Sequence, residues 1–170
     1  IARVDFKTEI TNRAEDHRLR ALFTTDIDTM SVYAEGQFDI VRRDITPAPT
    51  WKNPCNAQRD QAFITLESES GSDALMIANR GLCEYEILRD GRNTAAITLL
   101  RAIGQIGDWG VFPTPLGQKR GTWTLEYSMI PYTTDGRAEA YREGYTFSYP
   151  AVLAMGTPKH EGTLPAAAEY

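Results

Sequence analysis

Five absences or scarcities bound what this chain of 170 residues can be. It has no run approaching eighteen apolar residues, so no helical membrane span is readable. It has no block of like charge, and 18 basic against 23 acidic residues leave a formal charge of -5, which argues against nucleic acid as a partner. Histidine and cysteine occur only twice each, as His17, His160, Cys55 and Cys83. A zinc site needs three or four convergent ligands, and adjacent residues such as Asp16 and His17 point to opposite faces of a strand, so they do not both chelate one ion; His17 is read as a core or inter-sheet histidine, with a ligand contact as the alternative, and His160 as a loop-surface residue. The two cysteines lie in a Pro/Asn turn region and in a predicted strand, and are expected to be free thiols. No Gly-x-Ser-x-Gly elbow, Gly-x-Gly-x-x-Gly loop or Cys-x-x-Cys pair is present. No basic start followed by an apolar segment reads as a signal peptide. The first residue is Ile1, already inside a strand pattern in which Ala2, Val4, Phe6, Thr8 and Ile10 share one face, so the chain reads as a piece of a longer protein.

What is present is alternation. Strands are predicted over 1–10, 16–24, 30–35, 37–43, 61–68, 73–79, 82–89, 94–101 and 122–130, most of them with β-branched or aromatic residues at every second position. In strand 16–24, His17, Leu19, Ala21 and Phe23 are expected to face the core, with Arg18 and Arg20 on the other face and Arg18 meeting an acidic side chain across the sheet. Asp90-Gly91 predicts a tight type I′ hairpin. Two stretches interrupt the pattern. Residues 44–60 carry Pro47, Pro49 and Pro54; residues 102–121 carry five glycines and two prolines, which exclude a regular element. Near the end, Asp135 is placed to cap one short helix near 136–146 with Ala138, Tyr141 and Tyr145 on one face. This inventory predicts a single all-β domain over 1–170, a large antiparallel β-sandwich of two packed sheets.

The chemistry-bearing residues admit bland and sharp readings. Glu84 and Glu86 share a strand face and Asp26 and Asp28 a loop, but glycosidase chemistry needs two carboxyls at a set separation across a cleft, which no spacing here specifies. Arg18, Arg20, Arg80, Arg89 and Arg101 fit structural ion pairs or ligand contacts. Trp51 and Trp109, in the two long loops, could stack on sugar rings or cap the open end of a sandwich. Trp123, alternating with Leu125, Tyr127 and Met129, is read as core.

The segments Asp16-His17-Arg18-Leu19-Arg20-Ala21-Leu22-Phe23 and Asn79-Arg80-Gly81-Leu82-Cys83-Glu84-Tyr85-Glu86 resemble parts of the C-terminal β-domain of glycoside hydrolase family 38, the α-mannosidases, in its bacterial branch. The resemblance extends in order through Val4-Asp5-Phe6, Phe38-Asp39-Ile40-Val41, Leu88-Arg89-Asp90-Gly91, Ile97-Thr98-Leu99-Leu100-Arg101, Pro113-Thr114-Pro115-Leu116-Gly117 and Thr124-Leu125-Glu126-Tyr127, over roughly residues 1 to 165. It implies a supersandwich-like domain of a multidomain hydrolase that releases α-linked mannose with retention. It also implies that the nucleophile and the zinc ligands lie on a separate catalytic barrel of the same polypeptide, so none of the residues here is assigned as nucleophile, acid or metal ligand, and no cofactor is expected in this piece. The implied partners are that barrel and a carbohydrate substrate at the domain edge, with the cytoplasm as the favoured location of a bacterial parent. Loop 102–121 is the implied edge, with Arg101, Asp108 and Trp109 as its substrate-facing residues. A free-standing carbohydrate-binding module and a purely structural or adhesive β-domain remain open as alternatives.

Overall fold

The computed structural model describes residues 2–52, 54–107, 112–153 and 155. Among them lie twelve strands, two short 3₁₀ turns and one α-helix. A six-stranded sheet has the order β1 (Val4–Asn12), β12 (Gly121–Tyr132), β7 (Ala74–Asn79), β6 (Phe63–Glu67), β3 (Ser31–Gly36) and β4 (Asp39–Asp44). A four-stranded sheet has the order β2 (His17–Phe23), β9 (Ala95–Ala102), β8 (Glu84–Ile87) and β5 (Gln58–Arg59). All ladders are antiparallel. The expected all-β sandwich is therefore what the chain forms.

The main core lies between the two sheets. Val32, Ala34, Ile64, Leu66 and Ile77 from the larger sheet meet Tyr85, Ile87, Ala95, Ile97 and Leu99 from the smaller one. At one end, Phe6 stacks on Tyr127 with ring centroids 5.2 Å apart, and Phe23 meets both rings edge-on. A second core lies on the far side of the larger sheet, where α1 (Arg137–Ser148) presses Ala140 and Phe147 onto Phe63, Met76, Ala78 and Ile130. The centre of the larger sheet is thus covered on both faces, which is why all of Phe63–Glu67 is buried, the polar Thr65 and Glu67 that alternate with Ile64 and Leu66 included.

The helix stands where the sequence predicts one, but its buried face is turned part-way from the predicted one: Tyr141 packs against the second core and the Tyr145 ring meets Phe63 edge-on, yet neither lies at the centre of the contact. Ala140, Gly144 and Phe147 point inward while Ala138 and Tyr145 are exposed, because the spacing of the small residues, rather than of the tyrosines, lets the helix approach the sheet. A Cβ on Gly144 would stand 2.6 Å from the Met76 sulfur and 3.1 Å from the Phe63 ring. Asp135 lies in the preceding 3₁₀ turn and provides no side-chain cap; Gly136 holds the N-cap position.

Three local expectations are corrected. Asp90-Gly91 does not form a two-residue type I′ turn, since only Gly91 (φ 77°) of the pair has positive φ and Asn93 (φ 48°) supplies the second such residue in a longer loop. The Asp90 carboxylate organises that loop by accepting the Arg92 amide. In β2, Ala21 and Phe23 pack on the core but Leu19 is exposed, because the register slips between Leu19 and Arg20, leaving Leu99 as an extra residue on β9. Loop 102–121 contains short regular pieces despite its glycines: β10 (Gln105–Ile106) pairs with β11 (Phe112–Pro113), and a 3₁₀ turn follows over Pro115–Gln118.

Candidate functional site

The outward face of the four-stranded sheet carries a charge network that the strand pattern dictates. Arg18 and Arg20 on β2, Thr98 on β9, and Glu84 and Glu86 on β8 fall on one face by alternation. The intervening strand presents the short side chains Ala96 and Thr98 between them, so the arginines reach across it, and Arg101, opposite Arg18, joins the same face. Arg18 bonds Glu86 at 3.0 Å and Glu84 at 3.4 Å, and Arg20 bonds Glu86 at 2.8 Å. The expected pairing of Arg18 with an acid across the sheet is thus formed.

Beside this network, at the seam where β12 passes the smaller sheet, lies a half-open cleft of about 480 Å³. Leu82, Leu99, Leu100 and Leu125 give it an apolar floor, and Glu84, Arg101, Lys119 and Trp123 its rim. Arg101, one of the sequence-predicted site residues, donates from one guanidinium nitrogen to both Glu84 oxygens at 2.7 Å. Glu84 Oε1 also accepts Thr98 Oγ1 at 2.6 Å. Burial raises the Glu84 carboxyl, but the bonds from Arg101 and Thr98 and the Arg18 charge outweigh it and hold the group below the usual carboxylate range. The site therefore presents a fixed carboxylate, not a proton donor, at neutral pH.

Trp123 is not core. It keeps 36% of its surface exposed, with its indole N–H bonded to the Lys119 carbonyl at 3.0 Å and the Lys119 ammonium 5.2 Å from the ring centre. The alternation in β12 is correct, since Leu125, Tyr127 and Met129 do face the core, but Trp123 lies two residues from the strand's start, where the sandwich opens. Gly117-Gln118-Lys119-Arg120-Gly121 is the signal that could have shown this: a Gly- and base-rich turn just before a strand places the first aromatic at the rim. The other two predicted site residues, Asp108 and Trp109, lie outside the described residues, so Arg101 is the one member of that trio whose surroundings the structure gives. His160 is outside them too.

Of the other chemistry-bearing residues, the charged ones named next are engaged in ion pairs and hydrogen bonds. Asp26 receives both arms of Arg92 at 2.8 and 2.7 Å. Arg80 bonds Glu126 and the Phe147 carbonyl. Cys55 and Cys83 are free and exposed. Trp51 is 57% exposed and lines a separate recess of about 280 Å³ with Val32, Tyr85 and Ile87. Among the described residues, no group of three or more His, Cys, Asp or Glu side chains is placed to share a metal ion.

No family model matches the chain. The chain is 40% identical over 126 residues to a Halalkalibacterium halodurans protein named "Putative mannosylglycerate hydrolase", covering 74% of this chain and 14% of that protein. Its fold superposes on that of an α-mannosidase from Enterococcus faecalis V583 with a TM-score of 0.80 and 37% identity, over 95% of this chain and 18% of the other. A glycosyl hydrolase family 38 protein from Enterococcus faecalis gives a TM-score of 0.76 and 36% identity with the same coverage. The chain thus spans under a fifth of the length of these proteins, and over nearly all of its own length it is similar, in sequence and in fold, to a β-domain of family 38 α-mannosidases that forms a small part of a larger catalytic protein.

Proposed function

We propose that the chain is the non-catalytic β-domain of an α-mannosidase-like glycoside hydrolase, packing on a catalytic barrel of the same polypeptide and walling the edge of its cleft. The observation that carries this reading is the likeness over 95% of the chain, at 37% identity, to an α-mannosidase several times its size. The parent would hydrolyse α-mannosidic bonds with retention, its zinc and carboxylates residing outside these 170 residues. In this reading the loop following Arg101, with Asp108 and Trp109, borders the substrate. Ile106, Phe112 and Leu116 stand exposed on the described parts of that loop, and apolar side chains clustered in one loop suit a surface covered by another domain.

The test compares the 170-residue chain with the longer polypeptide on an aryl α-mannoside. The longer protein should turn over, and the chain alone should not. Within the longer protein, Arg101→Ala should lower kcat/KM by roughly 5- to 30-fold, as expected for loss of a charged positioning contact worth about 1 to 2 kcal/mol. Metal-dependent turnover by the chain alone would refute the reading. The cleft at Trp123 favours a second reading, a carbohydrate-binding module: it combines an aromatic surface with polar groups at its rim, and such a module would bind sugar with no other domain present.

A further inference from the structure

Lys119 is held in a conformation that side-chain-bearing residues seldom adopt, at φ 47° and ψ 42°. The neighbouring backbone fixes it there. Asn12, buried in β1, donates to the carbonyls of both Gln118 and Lys119, at 3.2 and 3.0 Å, and the Lys119 carbonyl also receives the Trp123 indole. Backbone strain over-determined in this way belongs with sites where a side chain must be aimed. What it aims is an ammonium that, among the described residues, meets the Trp123 ring and no carboxylate.

The cleft beneath it has three kinds of unmet capacity. Glu84 Oε1 is crowded by Arg18, Thr98 and Arg101, but Oε2 receives Arg101 alone and keeps room for one more donor. Trp123 offers the exposed part of an oriented indole above an apolar floor of Leu99 and Leu125. Among the described residues of the rim, Glu84 is already matched by Arg101, so Lys119 leaves one positive charge in excess. A ligand answering all three needs an apolar face, a hydroxyl donor and an anionic group within one molecule. A sugar ring carrying a carboxylate has these, and its apolar face would meet the part of the indole that the Lys119 ammonium, 5.2 Å over the ring centre, leaves exposed, with that ammonium at its edge.

We propose that this cleft binds an acidic saccharide, with the apolar face of the ring on Trp123, a ring hydroxyl donating to Glu84 Oε2 and the carboxylate on Lys119. The proposal rests on the reading of the chain as part of a carbohydrate-active protein and adds to it a ligand class and named contacts. The test titrates the 170-residue chain with glucuronate, methyl α-glucoside and acetate, following the Trp123 indole N–H resonance, assigned by its loss in Trp123→Phe. Glucuronate should shift that resonance and saturate at about 1 to 10 mM, as a single-ring ligand in an open site would. Methyl α-glucoside should bind about fivefold more weakly, the worth of one exposed ion pair, and acetate should not saturate. Lys119→Gln, which retains the backbone geometry, should abolish the difference between the two sugars at an unchanged melting temperature.

Equal affinity for glucuronate and methyl α-glucoside, survival of the preference in Lys119→Gln, or no response to either sugar would overturn the proposal. If the longer polypeptide hydrolyses an aryl α-mannoside while the chain ignores glucuronate, the domain reading stands and this one falls. Glucuronate binding together with metal-dependent turnover by the isolated chain would have the opposite meaning.

Discussion

At the scale of single residues, Asp60 is where the fold leaves a charge poorly served. It is buried, with Oδ2 accepting the Asn79 amide at 2.6 Å and Oδ1 without a partner. Burial pushes its pKa from 3.8 up to about 7, with the Asn79 bond opposing this; Glu35 on β3 raises it further and Arg43 on β4 lowers it. The folded chain therefore holds a proton that the unfolded chain releases near pH 4, so stability from this group falls as pH rises from about 4 to 7 and levels off above. Asp60→Asn should remove that slope. Denaturant titrations should show the variant gaining on the parent by on the order of 2 to 4 kcal/mol between pH 4 and 8, and parallel pH profiles would refute the assignment. Gly91 offers a contrasting case. Nothing lies within 4 Å of where its Cβ would stand, so Gly91→Val should cost only the backbone penalty at φ 77°, roughly 1 to 3 kcal/mol, read as a lowered melting temperature. The glycine was legible in the sequence because Asp-Gly is a turn signal. The loop type was not, because Asn93 supplies the second positive φ and nothing local marks it.

At the scale of elements, α1 shows where periodicity reads well and where it does not. Its place and length follow from the sequence, but its inward face depends on how closely the helix must approach Phe63 and Met76, a tertiary matter. Gly144→Val should force that pair apart and cost about 1 to 3 kcal/mol in thermal or denaturant unfolding. An unchanged midpoint would mean that the helix can lift off freely. The strands of the larger sheet were located by alternation even though β6 is buried on both faces, because β-branched and aromatic residues bounded by turns still mark it. Leu19 and Trp123 were misread for one shared reason. Each alternates correctly, but one lies at a register slip and the other at a strand's outer end, and alternation specifies which way a side chain points, not whether anything covers it. The cleft was legible only through Arg101, since the turn that brings Lys119 beside Trp123 depends on the buried Asn12 more than a hundred positions earlier.

At the scale of the whole molecule, the strand that begins the described chain and the strand that nearly ends it are neighbours: β1 pairs with β12 along its full nine residues. A chain starting at residue 13 would leave β12, twelve residues long, as an open edge and uncover the Phe23–Tyr127 contact. Such a truncation should aggregate or lose its cooperative transition, measurable by light scattering and calorimetry; a soluble, cooperatively melting product would show β1 to be dispensable. The same pairing sets a clock during synthesis. At about 5 to 20 residues per second, β1 leaves the ribosome roughly 6 to 25 s before its partner exists. Throughout that interval it is an amphipathic strand with no ladder, so the larger sheet can close only after translation has passed Tyr132. Folding is therefore placed late, among the slow non-local topologies, and the nascent chain's need during those seconds is for shelter more than for speed.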